Sequence, residues 1–301
     1  MHILLIATGG TIASRESGSG LVPVLSGEQL LEFVPAVHGL CTVSVESPFS
    51  VDSTDMTTDH RRTLAQLIWD SRSRYDGFVI AHGTDTLAYT AALLYHMLPG
   101  IDKPVILTGS MYPIGQGEDA QRNLSDAFRV ACAGRSGVYA VLHGQIIAGN
   151  RVVKVHAAAV TAFRSVNAPP VGTIAADGTL TFRTAQACGG TPSFAEVSER
   201  SLAVVRLIPD LPPAFLEGLH TCGHVILQAY GAGGIPSGLQ DAVAALLRAG
   251  TRVYITTQCT EGGADLDTYA VGQRAKAMGA ISLADRTLED AIAAIQCGQI
   301  P

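Results

Sequence analysis

The chain has 301 residues, 47% of them hydrophobic and 15% charged, and a formal net charge of −6. At this length a chain forms one large or two moderate domains and buries roughly 75% of its unfolded surface, so neither a metal nor a disulfide is needed to hold it together. The acidic balance, with Lys103, Lys154 and Lys276 as the only lysines, argues against nucleic acid and anionic membrane as partners, and no run approaches the roughly 18 apolar residues of a membrane span.

Cys41, Cys132, Cys188, Cys222, Cys259 and Cys297 lie far apart with no C-x-x-C pair, which disfavours a zinc site and suggests reduced thiols. Met1-His2-Ile3 offers neither a basic stretch nor a cleavage site, so a cytoplasmic location is expected. The apolar excess predicts a subunit interface, hence a homo-oligomer.

The first element is the apolar run Ile3-Leu4-Leu5-Ile6-Ala7, ended by Gly9-Gly10, which reads as a buried strand. The glycines permit φ > 0 and a close approach to the main chain. Thr11 then stands at the carboxyl end of a strand, where open α/β sheets place ligands; the same pattern also fits a plain capping threonine. Residues 14–23, rich in Ser, Gly and opposed charges, read as a mobile surface loop, either a lid or a connector. Ser26 and Gln29 predict a capping box opening a helix over 28–33.

A polar stretch, Val51 to Thr57, precedes a helix expected over 58–73. Residues 77–81 read as a buried strand stopped by His82-Gly83-Thr84-Asp85-Thr86, and a helix follows over 87–97. A strand over 104–108 ends at Gly109-Ser110, then come a helix over 123–133 and a strand over 138–142. This alternation predicts an α/β fold with a mostly parallel sheet and helices on both faces. From residue 169 the pattern decays, with a hairpin signal at Ala176-Asp177-Gly178-Thr179. Strands over 203–208, 224–229 and 252–257, with helices over 239–249 and 268–278, predict a smaller C-terminal α/β domain. The expected organisation is therefore a catalytic domain over 1–184, a linker over 185–200 and a second domain over 201–301.

Two strand ends carry Gly-Thr signatures, Gly10-Thr11 and Gly83-Thr84-Asp85, and in a parallel sheet both can lie on one edge. Thr84-Asp85 would also open a helix, where free N–H groups favour developing negative charge, although Asp85 equally fits an ordinary N-cap. Lys154 is either a solvated charge or, near an Asp and a Thr, a group that acts as a base or holds a hydroxyl in its reactive state.

The segments Ala7-Thr8-Gly9-Gly10-Thr11-Ile12-Ala13, Asp52-Ser53-Thr54-Asp55-Met56 and His82-Gly83-Thr84-Asp85-Thr86-Leu87-Ala88-Tyr89-Thr90-Ala91 occur in that order. Thr108-Gly109-Ser110, Asp119 with Asn123-Leu124, and Gly149-Asn150-Arg151 through Lys154 to Ser165-Val166-Asn167 follow, then Tyr230-Gly231-Ala232-Gly233 and Thr257-Gln258-Cys259. Together they resemble the bacterial-type L-asparaginase (asparaginase–glutaminase) family, and most of all its cytoplasmic type I branch. The resemblance implies hydrolysis of the side-chain amide of L-asparagine through a covalent threonine acyl-enzyme, with some glutaminase activity and no cofactor or metal. It casts Thr11 as nucleophile and Thr84, Asp85 and Lys154 as the second threonine and its charged partners. Ser53 and Thr54 fall on the segment that holds the substrate's α-carboxylate and α-amino groups, and Gly10, Asp52, Gly83, Thr84 and Asp85 complete the substrate-binding set. It further implies a homodimer or homotetramer with sites near the subunit interface, completed by a neighbour's loop over 230–236. Cys259 matches a cysteine near an effector site of some type I enzymes and equally reads as a plain strand-end cysteine.

One departure stands out. Family members carry a tyrosine in the loop after the nucleophile; here that stretch is Gly20-Leu21-Val22-Pro23, and no tyrosine precedes Tyr75. Leucine cannot donate, accept or relay a proton. Either Lys154 through Thr84, or a water, takes over the task, or Tyr112 supplies the phenol, or the protein binds asparagine as a sensor with weak or no turnover. An amidase subunit acting on amidated tRNA would need a basic or nucleic-acid-facing region that this chain lacks.

Overall fold

A computed structural model of the chain describes residues 1–18, 20–183, 190–198 and 201–300. They fall into two compact units, Met1–Val197 together with Ala293–Pro301, and Ser198–Ile292. The helix Leu288–Gln296 is divided between the two units after Ile292. Residues 184–189, 199 and 200, on which part of the expected linker falls, lie outside the described residues.

The first unit is built on an eight-stranded sheet. Its order is Leu180–Phe182, Gly172–Ile174, Gln145–Ala148, Gly137–Leu142, Pro104–Thr108, Gly77–Ala81, His2–Ala7 and Thr42–Glu46. The five strands from Gly137–Leu142 to Thr42–Glu46 pair in parallel, and the other three add on antiparallel. The three central strands read as unbroken apolar runs because helices cover both faces. On one face Leu4, Ile6, Phe78, Ile80, Val105 and Leu107 pack with Leu64, Ile68, Leu87, Ala91 and Leu94. On the other Ile3, Leu5, Val79 and Ile106 pack with Leu30, Leu124, Ala127 and Phe128. Alternation along each strand supplies both faces, and the helical spacing of Leu124, Ala127 and Phe128 supplies the cover.

The helices Thr58–Ser71 and Leu87–Met97 and the strands Gly77–Ala81 and Pro104–Thr108 lie where their patterns place them. The Ser26–Gln29 capping box opens the helix Gly27–Glu32. The helix expected from 123 begins four residues earlier, as Asp119–Cys132, with Ala120 buried as its first apolar contact. The loop expected over 14–23 is instead an antiparallel hairpin of Ser14–Ser17 and Gly20–Pro23. Its base is fastened by Val24 and Leu25 N–H groups donating to the Ala13 carbonyl. Arg15 ties its first strand down, with Nη1 2.8 Å from the Ile114 carbonyl and the guanidinium over the Phe33 ring. Composition hid this hairpin because Ser, Arg and Glu lack strand propensity, and cross-strand pairing supplies the order instead.

The strand Gln145–Ala148 was also unforeseen. It is reached through a two-residue turn in which His143 (φ 48°) and Gly144 (φ 70°) are both left-handed, the geometry of a tight β-hairpin. The Asn123 side chain holds that turn by accepting from the His143 N–H at 2.9 Å.

The second unit holds a four-stranded parallel sheet in the order Leu202–Arg206, His224–Ala229, Arg252–Thr257 and Ile281–Ser282. The helices Gln240–Arg248 and Ala270–Ala277 place Val243, Leu246 and Ala275 against Val225, Leu227, Val253 and Ile255. Among the described residues no helix is long and apolar enough to cross a membrane.

Candidate active site

The parallel register sets the site. Ala7 pairs with Ala81, and Ala81 with Thr108, so the segments that follow, 8–11, 82–85 and 109–112, leave the sheet at one edge. The Thr8 N–H donates to the Ala81 carbonyl and the His82 N–H to the Thr108 carbonyl, at 3.0 and 2.8 Å. A fourth segment joins them: Val51 N–H donates to the Thr8 carbonyl and Gly10 N–H to the Val51 carbonyl.

Glycine makes this junction possible. Gly10 has φ 75° and ψ −178°, a region essentially reserved for glycine. A Cβ there would lie 2.2 Å from the Gly83 Cα, and one on Gly83 would lie 2.6 Å from the Ser53 Cβ. Segments 9–11, 51–54 and 82–85 are therefore in backbone contact, and Thr11 and Thr84 each follow one of the touching glycines. Gly10→Ala should destabilise the protein by ~3 kcal/mol or more, since backbone strain and an unyielding main-chain clash add. A thermal melt checks this; a Tm within 2 °C of the parent, against an expected fall of roughly 6–12 °C, would mean that the junction can open.

Thr11 begins a 3-10 turn, Thr11–Ala13, whose Ile12 and Ala13 are buried. Ser14 Oγ closes that turn by donating to the Gly10 carbonyl at 2.9 Å. Among the described residues the Thr11 hydroxyl has no hydrogen-bond partner, and the side chain is half-buried. Thr84 is buried, 5% exposed. Its Oγ1 accepts from Lys154 Nζ at 2.9 Å, and the same Nζ donates to Asp85 Oδ1 at 2.6 Å. The Lys154 side chain is 15% exposed and that of Asp85 56%, so the ammonium is largely withdrawn from water while its carboxylate partner faces solvent.

Lys154 reaches this point from the short ribbon of Val152–Lys154 and Phe163–Ser165, anchored through Val152, Ala162 and Phe163 in the core. Spacing along the chain could not place it 70 residues from Thr84.

Segment 52–54 is a capped turn. Asp52 Oδ1 accepts from the Thr54 N–H and hydroxyl, both at 2.8 Å. Ser53 is 3% exposed; its Oγ accepts from the Asp85 N–H at 3.2 Å and its carbonyl from the Thr86 hydroxyl at 2.7 Å. Asp85 is thus not the N-cap of the helix Leu87–Met97; that position is Thr86. Thr11, Thr84, Asp85, Lys154, Gly10, Ser53 and Gly83 gather around one junction, with Asp52 and Thr54 on its exposed side.

A further support consists of Asp119 and Asn123. Asp119 Oδ2 accepts from the Met111 N–H at 2.8 Å, and Asn123 Nδ2 donates to the Gly109 carbonyl at 2.9 Å. They fix the segment that carries Tyr112, which is 50% exposed and lies two residues before Ile114, whose N–H donates to the Ile12 carbonyl. Leu21 is 47% exposed on the hairpin. Among the described residues no group of three or more His, Cys, Asp or Glu side chains could hold a metal.

The chain is similar to known proteins along almost its whole length. Residues 2–187 match the model of the asparaginase N-terminal domain, and 201–298 that of the glutaminase/asparaginase C-terminal domain. The L-asparaginase of Thermococcus kodakarensis is 36% identical over 96% of this chain and 90% of its own length. A solved structure of the thermostable L-asparaginase from that organism superposes with a TM-score of 0.92 at 34% identity, covering 99% of this chain and 93% of that one. L-asparaginase 1 of Escherichia coli K12 is 34% identical over 95% of this chain and 88% of its own. A glutamyl-tRNA(Gln) amidotransferase subunit from Pyrococcus furiosus is 31% identical, over 96% of this chain but 70% of its own. The chain belongs to the asparaginase family.

Proposed function

We propose that this protein hydrolyses the side-chain amide of L-asparagine to L-aspartate and ammonia. The observation that carries the reading is Lys154 Nζ bridging Thr84 Oγ1 and Asp85 Oδ1 beside the turn that presents a Thr11 hydroxyl with no partner among the described residues. An amide is a poor electrophile and needs a nucleophile, a proton path and an oxyanion site together.

In this reading Thr11 Oγ1 attacks the side-chain carbonyl carbon of asparagine. The Thr84 main-chain N–H stabilises the negative oxygen of the tetrahedral intermediate, a contribution of about 3 kcal/mol for one such donor. The hydroxyl proton passes to the amide nitrogen by way of Thr84 and Lys154, or a water. The C–N bond then breaks and ammonia leaves. Water attacks the resulting threonine ester, aspartate departs and the Thr11 hydroxyl is restored. Ser53, Thr54 and Asp52 with Gly10 and Gly83 hold the amino-acid head, and Asp85 pairs its ammonium. With Leu21 where the family resemblance implies a tyrosine, the proton path runs through the lysine side rather than the hairpin. Side-chain amides one methylene longer are secondary substrates, since a methylene changes selectivity by only about 1–3 kcal/mol. The protein acts in the cytoplasm as a homodimer or homotetramer.

The test is ammonia release from L-asparagine by the purified protein, followed beside calorimetric titration. Saturable heat with steady ammonia production is the expected result. Saturable heat without ammonia would make it an asparagine-binding or sensing protein instead, the reading that Leu21 favours. The amidotransferase relative extends beyond the part this chain matches, and the acidic charge here does not favour a tRNA substrate.

A further inference from the structure

Beneath the site lies a buried hydrogen-bonded series that the proposed steps do not use. His82 is 0% exposed and so is Thr90; Arg61 is half-buried. His82 Nδ1 lies 2.7 Å from the Gly83 carbonyl, and His82 Nε2 2.9 Å from Thr90 Oγ1. Arg61 Nε lies 3.0 Å from the same Thr90 oxygen.

The chemistry of each group fixes every direction. A carbonyl only accepts, so Nδ1 carries the proton. Burial lowers the His82 pKa to about 4, so the ring is neutral and Nε2 is an acceptor. The Thr90 hydroxyl must then donate to Nε2, which leaves its oxygen to accept from Arg61, whose guanidinium only donates. Burial brings the Arg61 pKa down to about 10, so it remains a cation at neutral pH. The series runs one way, from Arg61 through Thr90 and His82 to the Gly83 oxygen.

That oxygen belongs to the peptide unit that also holds the Thr84 N–H. In a trans peptide the two point in opposite directions, and no cis bond occurs among the described residues. The Thr84 N–H therefore points away from the buried histidine. Among the described residues it has no hydrogen-bond partner. Hydrogen bonds in series polarise one another, most of all away from water.

We propose that Arg61, Thr90 and His82 are positioning residues that hold and polarise the Gly83–Thr84 peptide, so that its N–H is aimed and strengthened as an oxyanion donor. The catalytic half of this inference rests on the amide-hydrolysis reading; the structural half does not. The peptide needs such a hold because Gly83, packed on Gly10 and Ser53, has no side chain to restrain it. A cation at the far end of the series favours negative charge at the near end without being in the pocket.

The test compares His82→Leu, His82→Asn and Thr90→Val with the parent. An asparagine amide can stand where Nδ1 stands and keep the donor to Gly83, which leucine cannot. Three readouts are followed: kcat and KM for L-asparagine, the melting temperature, and the Thr84 amide 15N shift in 15N-threonine-labelled protein. That shift reports hydrogen bonding to the preceding carbonyl. His82→Leu should lower kcat roughly tenfold through lost orientation and polarisation of the donor, leave KM within about twofold, and move the Thr84 nitrogen upfield. His82→Asn should restore the shift and most of kcat despite the same loss of ring packing. Thr90→Val should move both in the same sense by less, and it carries the test if His82→Leu does not fold. An unmoved Thr84 nitrogen in His82→Leu or Thr90→Val overturns the proposal, and so does a kcat in His82→Asn as low as in His82→Leu. A parent without ammonia release would overturn the hydrolase reading, while the nitrogen shift would still decide whether the series holds the peptide.

Discussion

Thr11→Ala should abolish ammonia release from L-asparagine, lowering kcat by at least about 10⁴-fold, as loss of a nucleophile does. The fold should hardly notice. The Thr11 hydroxyl has no hydrogen-bond partner among the described residues, and the burial of Ile12 and Ala13 keeps the turn in place, so the change in stability should stay within about 0.5 kcal/mol. Asparagine should still bind, because Ser53, Asp52, Thr54 and Asp85, which the proposed reading assigns to its charged head, are unchanged. The measurement pairs a coupled ammonia assay with calorimetry and a melt. Complete loss of turnover with retained binding heat is the expected pattern. Turnover within tenfold of the parent would place the nucleophile elsewhere, and Thr11 would then be the capping threonine that its position after two glycines also allows.

Lys154→Met should lower kcat by about 10²–10⁴-fold, the range for a group that moves or holds a proton in the transition state. Methionine keeps most of the stem, which is largely covered, and removes only the Nζ that meets Thr84 and Asp85. The stability cost should be small, about 1 kcal/mol, because the 56% exposure of Asp85 lets water replace the lost partner. Lys154→Arg should not rescue turnover. A guanidinium is planar, forked and always charged, so it can neither yield a proton nor bring one nitrogen to both Thr84 Oγ1 and Asp85 Oδ1 in the same geometry. Steady-state kinetics on both variants decide the matter: a kcat for Lys154→Arg above about half of the parent would mean that only a positive charge is needed there. The two variants also separate roles. On the proposed hydrolase reading, Thr11→Ala removes the bond-forming atom, whereas Lys154→Met leaves it in place and removes its proton traffic.

Much of this architecture was legible from local pattern. Ile3 to Ala7 and Gly77 to Ala81 are apolar runs too short for helices, each stopped by a glycine turn, and both are parallel strands in register. Thr11 and Thr84 could be placed at one sheet edge for the same reason. The convergence of Lys154 on Thr84 and Asp85 was not legible by spacing, because its ribbon lies outside the main sheet; only its motif pointed there. The hairpin of 14–23 escaped because its order comes from pairing and from Arg15 reaching Ile114, a contact 99 residues away. His82, Thr90 and Arg61 were equally hidden. His82 and Thr90 stood inside a recognised motif, yet nothing in sequence separates a buried histidine that serves a carbonyl from one that fills space. Tautomer and direction follow only once the partners have distances.

The glycine junction bears on how this protein's specificity can change over time. Gly10, Gly83 and Gly109 each stand where a Cβ would meet main chain at 2.4 Å or less, or the Ser53 side chain at 2.6 Å. At such places the tolerated alphabet shrinks to one letter. A randomised library spanning all of the site's loops would spend its diversity unevenly, recovering glycine at these three positions and variation at Leu21, Thr54 and Tyr112, whose side chains are exposed. Selection for a new amide would therefore leave the chemistry unaltered and rewrite the rim.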